Sequence, residues 1–310
     1  MIQPSGRWKT ALRCLPLCLL AAVLWREKPW MIRLSATAPW AVTATILLNF
    51  AVYLPLKAAR WQVALVDPPP FRQVLAATIE GLLANAAIGF GSGDLVRAAR
   101  LREGRLAVDY ACTWAERGAE VLAFALLIFV TALLTKLGTL ALVLSGLTAA
   151  AYVAALGTGH FLVPRLGRWP RVQGALSSGV RASTPRRVTA MLALSLLGWS
   201  SEIVMLVLFQ GAFHLVPSFR MALLTLVGIN AAITIVTLPG NFGTFEAGAT
   251  MALVMCGAPR DVAVSYALLY HLTHVIPVAA VATVVYLVRS AGRSGNRRYK
   301  TTPARTSSGR

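Results

Sequence analysis

A carboxylate set in a glycine-rich break between two long apolar runs limits the fold of this chain more than any other feature. The stretch reads Leu238-Pro239-Gly240-Asn241-Phe242-Gly243-Thr244-Phe245-Glu246-Ala247. A charged side chain at bilayer depth costs about 2.5–3.5 kcal/mol on insertion scales. Proline and glycine free backbone groups that lipid cannot satisfy. Such a segment is tolerable only where it lines a watered cavity enclosed by protein. The flanking runs make a bilayer the relevant solvent: the chain is 57% hydrophobic and 13% charged, whereas ordinary soluble domains carry about 25% charged residues. The chain reads as all-α, a polytopic transmembrane helix bundle.

The apolar runs fall at 12–25, 39–58, 71–90, 108–135, 137–163, 188–210, 218–238, 245–257 and 262–288. At ~20 residues per crossing they give about seven to nine membrane segments, the first and eighth being short enough to lie in the interface or re-enter. Residues 1–38 read as a short N-terminal helix with a basic flank, retained rather than cleaved. Residues 39–289 read as the transmembrane domain, and 290–310 as a disordered basic tail. Trp25, Trp30, Trp40, Trp61 and Trp169 stand at run boundaries, the place of interface anchors.

The net charge is +19. In a soluble chain this would point to nucleic acid, but here the bases gather in short loops and at the C-terminus. That bias holds loops in the cytoplasm, so we expect an inner (plasma) membrane protein with a cytoplasmic tail and no nucleic-acid partner. Arg165 to Arg187 contains six arginines and no acid, and the tail is again basic. Placing both on one side fixes runs six and seven as an out-and-back pair. Then either run eight crosses, or run seven stops part-way and a broken helix completes it.

The chain echoes itself. An apolar run, a glycine-rich break with an acid, a short helix, a polar turn and a long apolar run occur twice. The first copy passes through Gly89-Phe90-Gly91-Ser92-Gly93-Asp94, the second through Pro239 to Glu246. Asn85-Ala-Ala-Ile also recurs as Asn230-Ala-Ala-Ile, but in a register different from that of the acids. We weight the acid register, because acids are costly here and alanines are not. Paired broken segments in corresponding halves point to a transporter-like site. Gly93 or Asp94 is the expected cap of one short helix, and Thr244 of the other, with Glu246 in its first turn.

Spacing alone suggests several ion pairs. Glu116 and Glu120 share a helix face, so at least one must be paired or protonated. Arg117 stands three before Glu120, and Asp94 three before Arg97. Glu80 and Glu202 read as packing or local hydrogen bonding. His271 and His274 have a spacing that can ligate metal, yet no further ligand stands nearby, so they read as polar lining. Gly89-x-Gly91-x-Gly93 lacks the lysine and Ser/Thr of a phosphate loop. The four cysteines lack any paired spacing. We therefore expect no cofactor, no metal and no enzymatic activity.

At these residues the chain resembles the flippase-like integral membrane family that includes the transmembrane region of lysylphosphatidylglycerol synthase. The resemblance rests on Ala59-Arg60-Trp61, Gly93-Asp94-Leu-Val-Arg97, Trp114-Ala-Glu116-Arg117 and, best, Leu238-Pro239-Gly240-Asn-Phe-Gly243-Thr-Phe-Glu246. It covers residues 40 to 290. The first break has Gly89 and Asp94 where the family usually carries a proline and a glutamate, and Tyr270-His271 replaces a usual Tyr-Arg pair. The resemblance implies movement or handling of a lipid with an anionic or zwitterionic headgroup, without aminoacyl transfer, and a lipid-pathway enzyme as partner. The implied substrate-binding residues are Arg60, Asp94, Arg97, Glu116, Arg117, Pro239, Gly240, Gly243, Glu246 and His271. Arg97 and Arg117 would attract the headgroup; Asp94, Glu116 and Glu246 would hold those cations or exchange a proton. The alternatives are an accessory or scaffold subunit of a membrane-lipid or lipid-linked glycan pathway, or a membrane-embedded lipid transferase.

Overall fold

The computed structural model describes residues 34–300, apart from 90, 136–137, 163–169 and 236–238. The first apolar run, Trp25, Trp30, Trp169 and residues 301–310 lie outside the described residues. Among the described residues ten helices follow in order: α1 (Ala38–Ala64), α2 (Phe71–Ile88), α3 (Ser92–Leu101), α4 (Leu106–Thr135), α5 (Thr139–Leu162), α6 (Pro170–Ala182), α7 (Pro185–Gly211), α8 (Phe219–Ile235), α9 (Thr244–Met255) and α10 (Arg260–Lys300). The fold is an all-helical bundle. Of these described helices four, α1, α4, α7 and α10, are long and apolar enough to cross a membrane.

α1 changes pitch in its middle. Pro55 has no N–H to give, and its ring would collide with the carbonyl of the residue four before it. The chain relieves this with a π-helical turn at Asn49–Tyr53 before resuming as Leu54–Ala64.

Both glycine-rich breaks are hairpin tips. After α2, Gly89 and Gly91 take positive φ of 74° and 71°, and α3 folds back along α2. After α8, the chain passes a 3₁₀ turn at Pro239–Asn241, with Gly240 and Gly243 at φ 62° and 85°, and α9 folds back along α8. Glycine at these positions escapes the steric penalty of a left-handed backbone. It also sets the caps: Gly91 and Gly243 occupy them, not Gly93, Asp94 or Thr244 as expected. Asp94 and Glu246 consequently both fall at the third helical position, as the acid register requires.

Each hairpin crosses backbone to backbone on a glycine pair, of which the sequence singled out Gly93 alone, and as a cap. A Cβ on Gly81 would lie 2.6 Å from the carbonyl oxygen of Gly93, and one on Gly228 would lie 2.7 Å from that of Gly248. Small residues permit such approach. Gly93 is second in its helix and Gly248 fifth, so the second short helix starts almost one turn earlier relative to its crossing.

Contacts along the bundle give the direction of each helix. Ser35 N–H donates to Ala212 at one end of the α1–α7 pair, and Arg187 donates to the Leu65 carbonyl at the other. α4 starts beside the end of α1, where Arg102 ties Asp109 to the carbonyls of Val66 and Asp67. α6 lies against this end of α4, with Gly179 close to Ala111. α10 runs against α7, Tyr266 donating to Leu206 and, further along, Tyr270 to Glu202. Since each hairpin returns to the face it left, α2–α3 enters from the face of α6 and α8–α9 from the opposite one. The two are inverted repeats. The basic segment around α6 and the end of α10 share a face without run eight crossing.

Two further expectations are corrected. Trp61 is no interface anchor: it is fully buried, donates to Thr113 Oγ1 at 3.0 Å and lies 4.6 Å under the Arg97 guanidinium. The stretch 290–300, read as the start of a disordered basic tail, continues α10 to Lys300. Once a helix is nucleated each added residue gains a bond.

Candidate functional site

The hairpin tips meet. A Cβ on Gly240 would lie 3.2 Å from the carbonyl oxygen of Ala86, close to the end of α2. Beside this junction α1, α2, α3, α4, α7, α8, α9 and α10 line a half-open cavity of about 450 Å³. Most of its wall is apolar, with charged residues at two places.

The first charged group joins α1, α3 and α4. Glu116, fully buried, accepts from Arg60 Nε at 2.9 Å and from Arg97 Nη2 at 2.5 Å. Arg60 also reaches Glu120 at 2.9 Å and Ser195 Oγ at 3.1 Å. Arg117 grips Asp94 through two bonds of 2.8 Å and Glu120 through one of 2.5 Å, while Arg97 lies 3.0 Å from Asp94. Two of these pairs, Asp94 with Arg97 and Arg117 with Glu120, have the three-residue spacing seen in the sequence. The helix brings such side chains to one face. Three guanidiniums thus alternate with three carboxylates, and charge-assisted bonds of this kind are short and about twice as strong as neutral ones. Asp94, Arg97 and Arg117 face the cavity; Arg60 and Glu116 stand behind them.

The second group belongs to α7, α9 and α10. Glu246 turns back to its own helix start, accepting the Gly243 N–H through Oε2 at 2.7 Å. Its other oxygen meets His271 Nδ1 at 2.8 Å. Phe245 stacks on the His271 ring at 4.2 Å, so the imidazole is fixed in plane and presents its other edge to the cavity. Glu202 on α7 accepts from the Tyr270 hydroxyl at 3.1 Å and lies 3.6 Å from His274. Among the described residues Glu202 Oε2, His274 Nε2 and Trp199 Nε1 are buried without hydrogen-bond partners.

The two groups correspond. In each half the acid at the third position of the short helix pairs with a base at the twelfth residue of the long helix that follows: Asp94 with Arg117, Glu246 with His271. The repeat therefore extends to side-chain pairing, although its residue types diverge.

Of the residues expected at the site, Asp94, Arg97, Arg117, Gly240 and His271 line the cavity. Arg60, Glu116 and Glu246 hold them from behind. Gly243 caps α9, and Pro239 contributes backbone to the 3₁₀ turn, its ring lying outside the described residues. The sequence missed Lys57, Tyr53 and Asn49 on α1; Glu202, read as packing or local hydrogen bonding, does accept the Tyr270 hydroxyl but also lines the cavity. The spacing of 49, 53 and 57, four residues each, was the available signal. Among the described residues no group of three or more acid, histidine or cysteine side chains is placed to hold a metal ion.

A family model described as the lysylphosphatidylglycerol synthase TM region matches residues 12–282. No curated protein and no solved structure matches the chain.

Proposed function

The chain belongs to the lysylphosphatidylglycerol synthase transmembrane-region family, and on that premise we propose that it moves an amphiphilic lipid across the membrane. The observation that carries this reading is the cavity where two inverted hairpins meet tip to tip. Its ~450 Å³ lies within the roughly 300–1,000 Å³ of small-ligand sites, enough for a headgroup and not for acyl chains. The tails stay in lipid, so only the headgroup needs a polar route. Inverted repeats around a shared site are the architecture in which one repeat rocks against the other and exposes the site to each face in turn.

Sidedness follows from charge. Arg100, Arg102, Arg105, α6 and the end of α10 share one face, which we assign to the cytoplasm of an inner membrane. The role is transport rather than covalent chemistry, with an enzyme of the same lipid pathway as partner.

The test is translocation of fluorescent lipids in proteoliposomes, comparing wild type with Glu246→Gln. Glutamine retains an acceptor for the Gly243 N–H but weakens the charge-assisted bond to His271, and removing such a bond is worth about 1.5–3 kcal/mol. We expect movement of one headgroup class by wild type and a loss of roughly tenfold or more in the variant, with normal insertion. Well-folded wild type that moves no lipid would refute transport and favour an accessory subunit.

A further inference from the structure

We propose that Asn49, Tyr53 and Lys57 form the anion subsite of the cavity, and that its occupant is the phosphate of a phospholipid headgroup. The lipid source rests on the transport reading above; the anion chemistry rests on the residues themselves.

Charge is the first argument. The sequence suggested Arg97 and Arg117 as headgroup anchors, but their guanidiniums are engaged by Asp94, Glu116 and Glu120. Arg60 is likewise held by Glu116 and Glu120. Lys57 differs: among the described residues no carboxylate lies within 4 Å of it, its ammonium stands 5.7 Å from the Tyr53 ring, and the attraction of Glu120, a carboxylate already bound by Arg60 and Arg117, reaches it only at longer range. Holding a half-buried ammonium without a direct ion pair is unfavourable. An incoming anion removes that cost, whereas at Arg97 or Arg117 it would have to displace a carboxylate.

Geometry is the second argument. Residues four apart lie on one face of a helix, and the π turn at Asn49–Tyr53 lies within this stripe. All three residues line the cavity. Neither the Asn49 amide nor the Tyr53 hydroxyl is hydrogen-bonded within the described protein, although Asn49 is only 2% exposed. Together they offer an ammonium, a phenol and an amide, each with hydrogens to donate, which suits a tetrahedral oxyanion. Glu120 and Asp94 do not oppose it, since arginines already hold both carboxylates.

Binding to purified protein in detergent tests the subsite without requiring transport. The probes are dihexanoyl phosphatidylglycerol, inorganic phosphate and a short-chain galactolipid without phosphate, each titrated calorimetrically. Lys57→Ala should weaken the phospholipid at least about tenfold, Lys57→Arg should restore most of the affinity, and galactolipid binding should not change. Tyr53→Phe should weaken the phospholipid by a smaller factor. Removing Lys57 strands no counter-ion, so the variant should keep the wild-type melting temperature. Unchanged phospholipid affinity in folded Lys57→Ala overturns the subsite. Inorganic phosphate that competes at the concentration of the lipid, with the same Lys57 dependence, overturns the lipid source and leaves a free-phosphate site. Absence of competition supports the headgroup. Because the readout is affinity, wild type that binds in this way but fails to translocate would refute transport and leave the subsite standing.

Discussion

Glu116 shows how little of this site is a matter of single residues. It is fully buried between Arg60 and Arg97, so its removal leaves two guanidiniums facing each other in a poorly hydrated interior. Breaking one member of a buried charge group typically costs about 3–5 kcal/mol. We expect Glu116→Ala to lower the melting temperature in detergent sharply, and Glu116→Gln to lower it less, since the amide oxygen still accepts one bond. A wild-type melting curve for Glu116→Ala would disprove the view that this carboxylate holds α1, α3 and α4 together. The pairs Asp94–Arg97 and Arg117–Glu120 were legible because helical spacing places partners on one face. The Arg60–Glu116 pair spans 56 positions and Glu246–His271 spans 25; no local pattern encodes them.

At the level of helices, the breaks were readable and their crossings were not. Proline, glycine and a costly acid between apolar runs announce a hairpin tip, and both tips occur where those residues stand. The contact that closes each hairpin depends on Gly81 against Gly93 and Gly228 against Gly248. Glycine is common in apolar helices, and only the register of the partner helix picks out these four. A methyl on Gly81 or Gly228 would press on the opposing backbone at 2.6 or 2.7 Å, where nothing can rotate away. Gly81→Ala and Gly228→Ala should therefore destabilise, by about 1–3 kcal/mol as overpacking does. Gly146→Ala, with nothing within 4 Å, should be neutral or stabilising by up to about 1 kcal/mol. Equal melting temperatures for all three variants would remove the glycine crossings from the account. Pro55 works differently. Pro55→Ala lifts the reason for the π turn and lets α1 close into regular helix. It should leave the protein at least as stable while rotating Asn49 away from Lys57, so phospholipid affinity should fall with no loss of melting temperature.

For the whole molecule, the decisive property is that the two hairpins enter from opposite faces. Composition gave the helical membrane class, and charge placed the basic segments together, but the sequence left two topologies open. The choice depends on whether α9 crosses or returns, and its length of 12 residues, about 18 Å of helix, satisfies neither without knowing its partner. Packing against α8 settles it, because the Gly228–Gly248 crossing folds α9 back toward the start of α8. Inversion then makes a simple prediction. The α3–α4 turn containing Glu103 and the α7–α8 loop containing Val216 must lie on opposite sides of the membrane; Val216 is 82% exposed and Glu103 is also exposed. In a background with Cys14, Cys18, Cys112 and Cys256 replaced by serine, Glu103→Cys and Val216→Cys can each be labelled in intact cells with a membrane-impermeant maleimide. Cys at 216 should react from outside, and Cys at 103 only after the membrane is opened. The reverse pattern would keep the inversion and refute the cytoplasmic assignment of the basic face. Labelling of both from one side would mean that the hairpins share a face, and the alternating exposure proposed for the cavity would lose its structural basis.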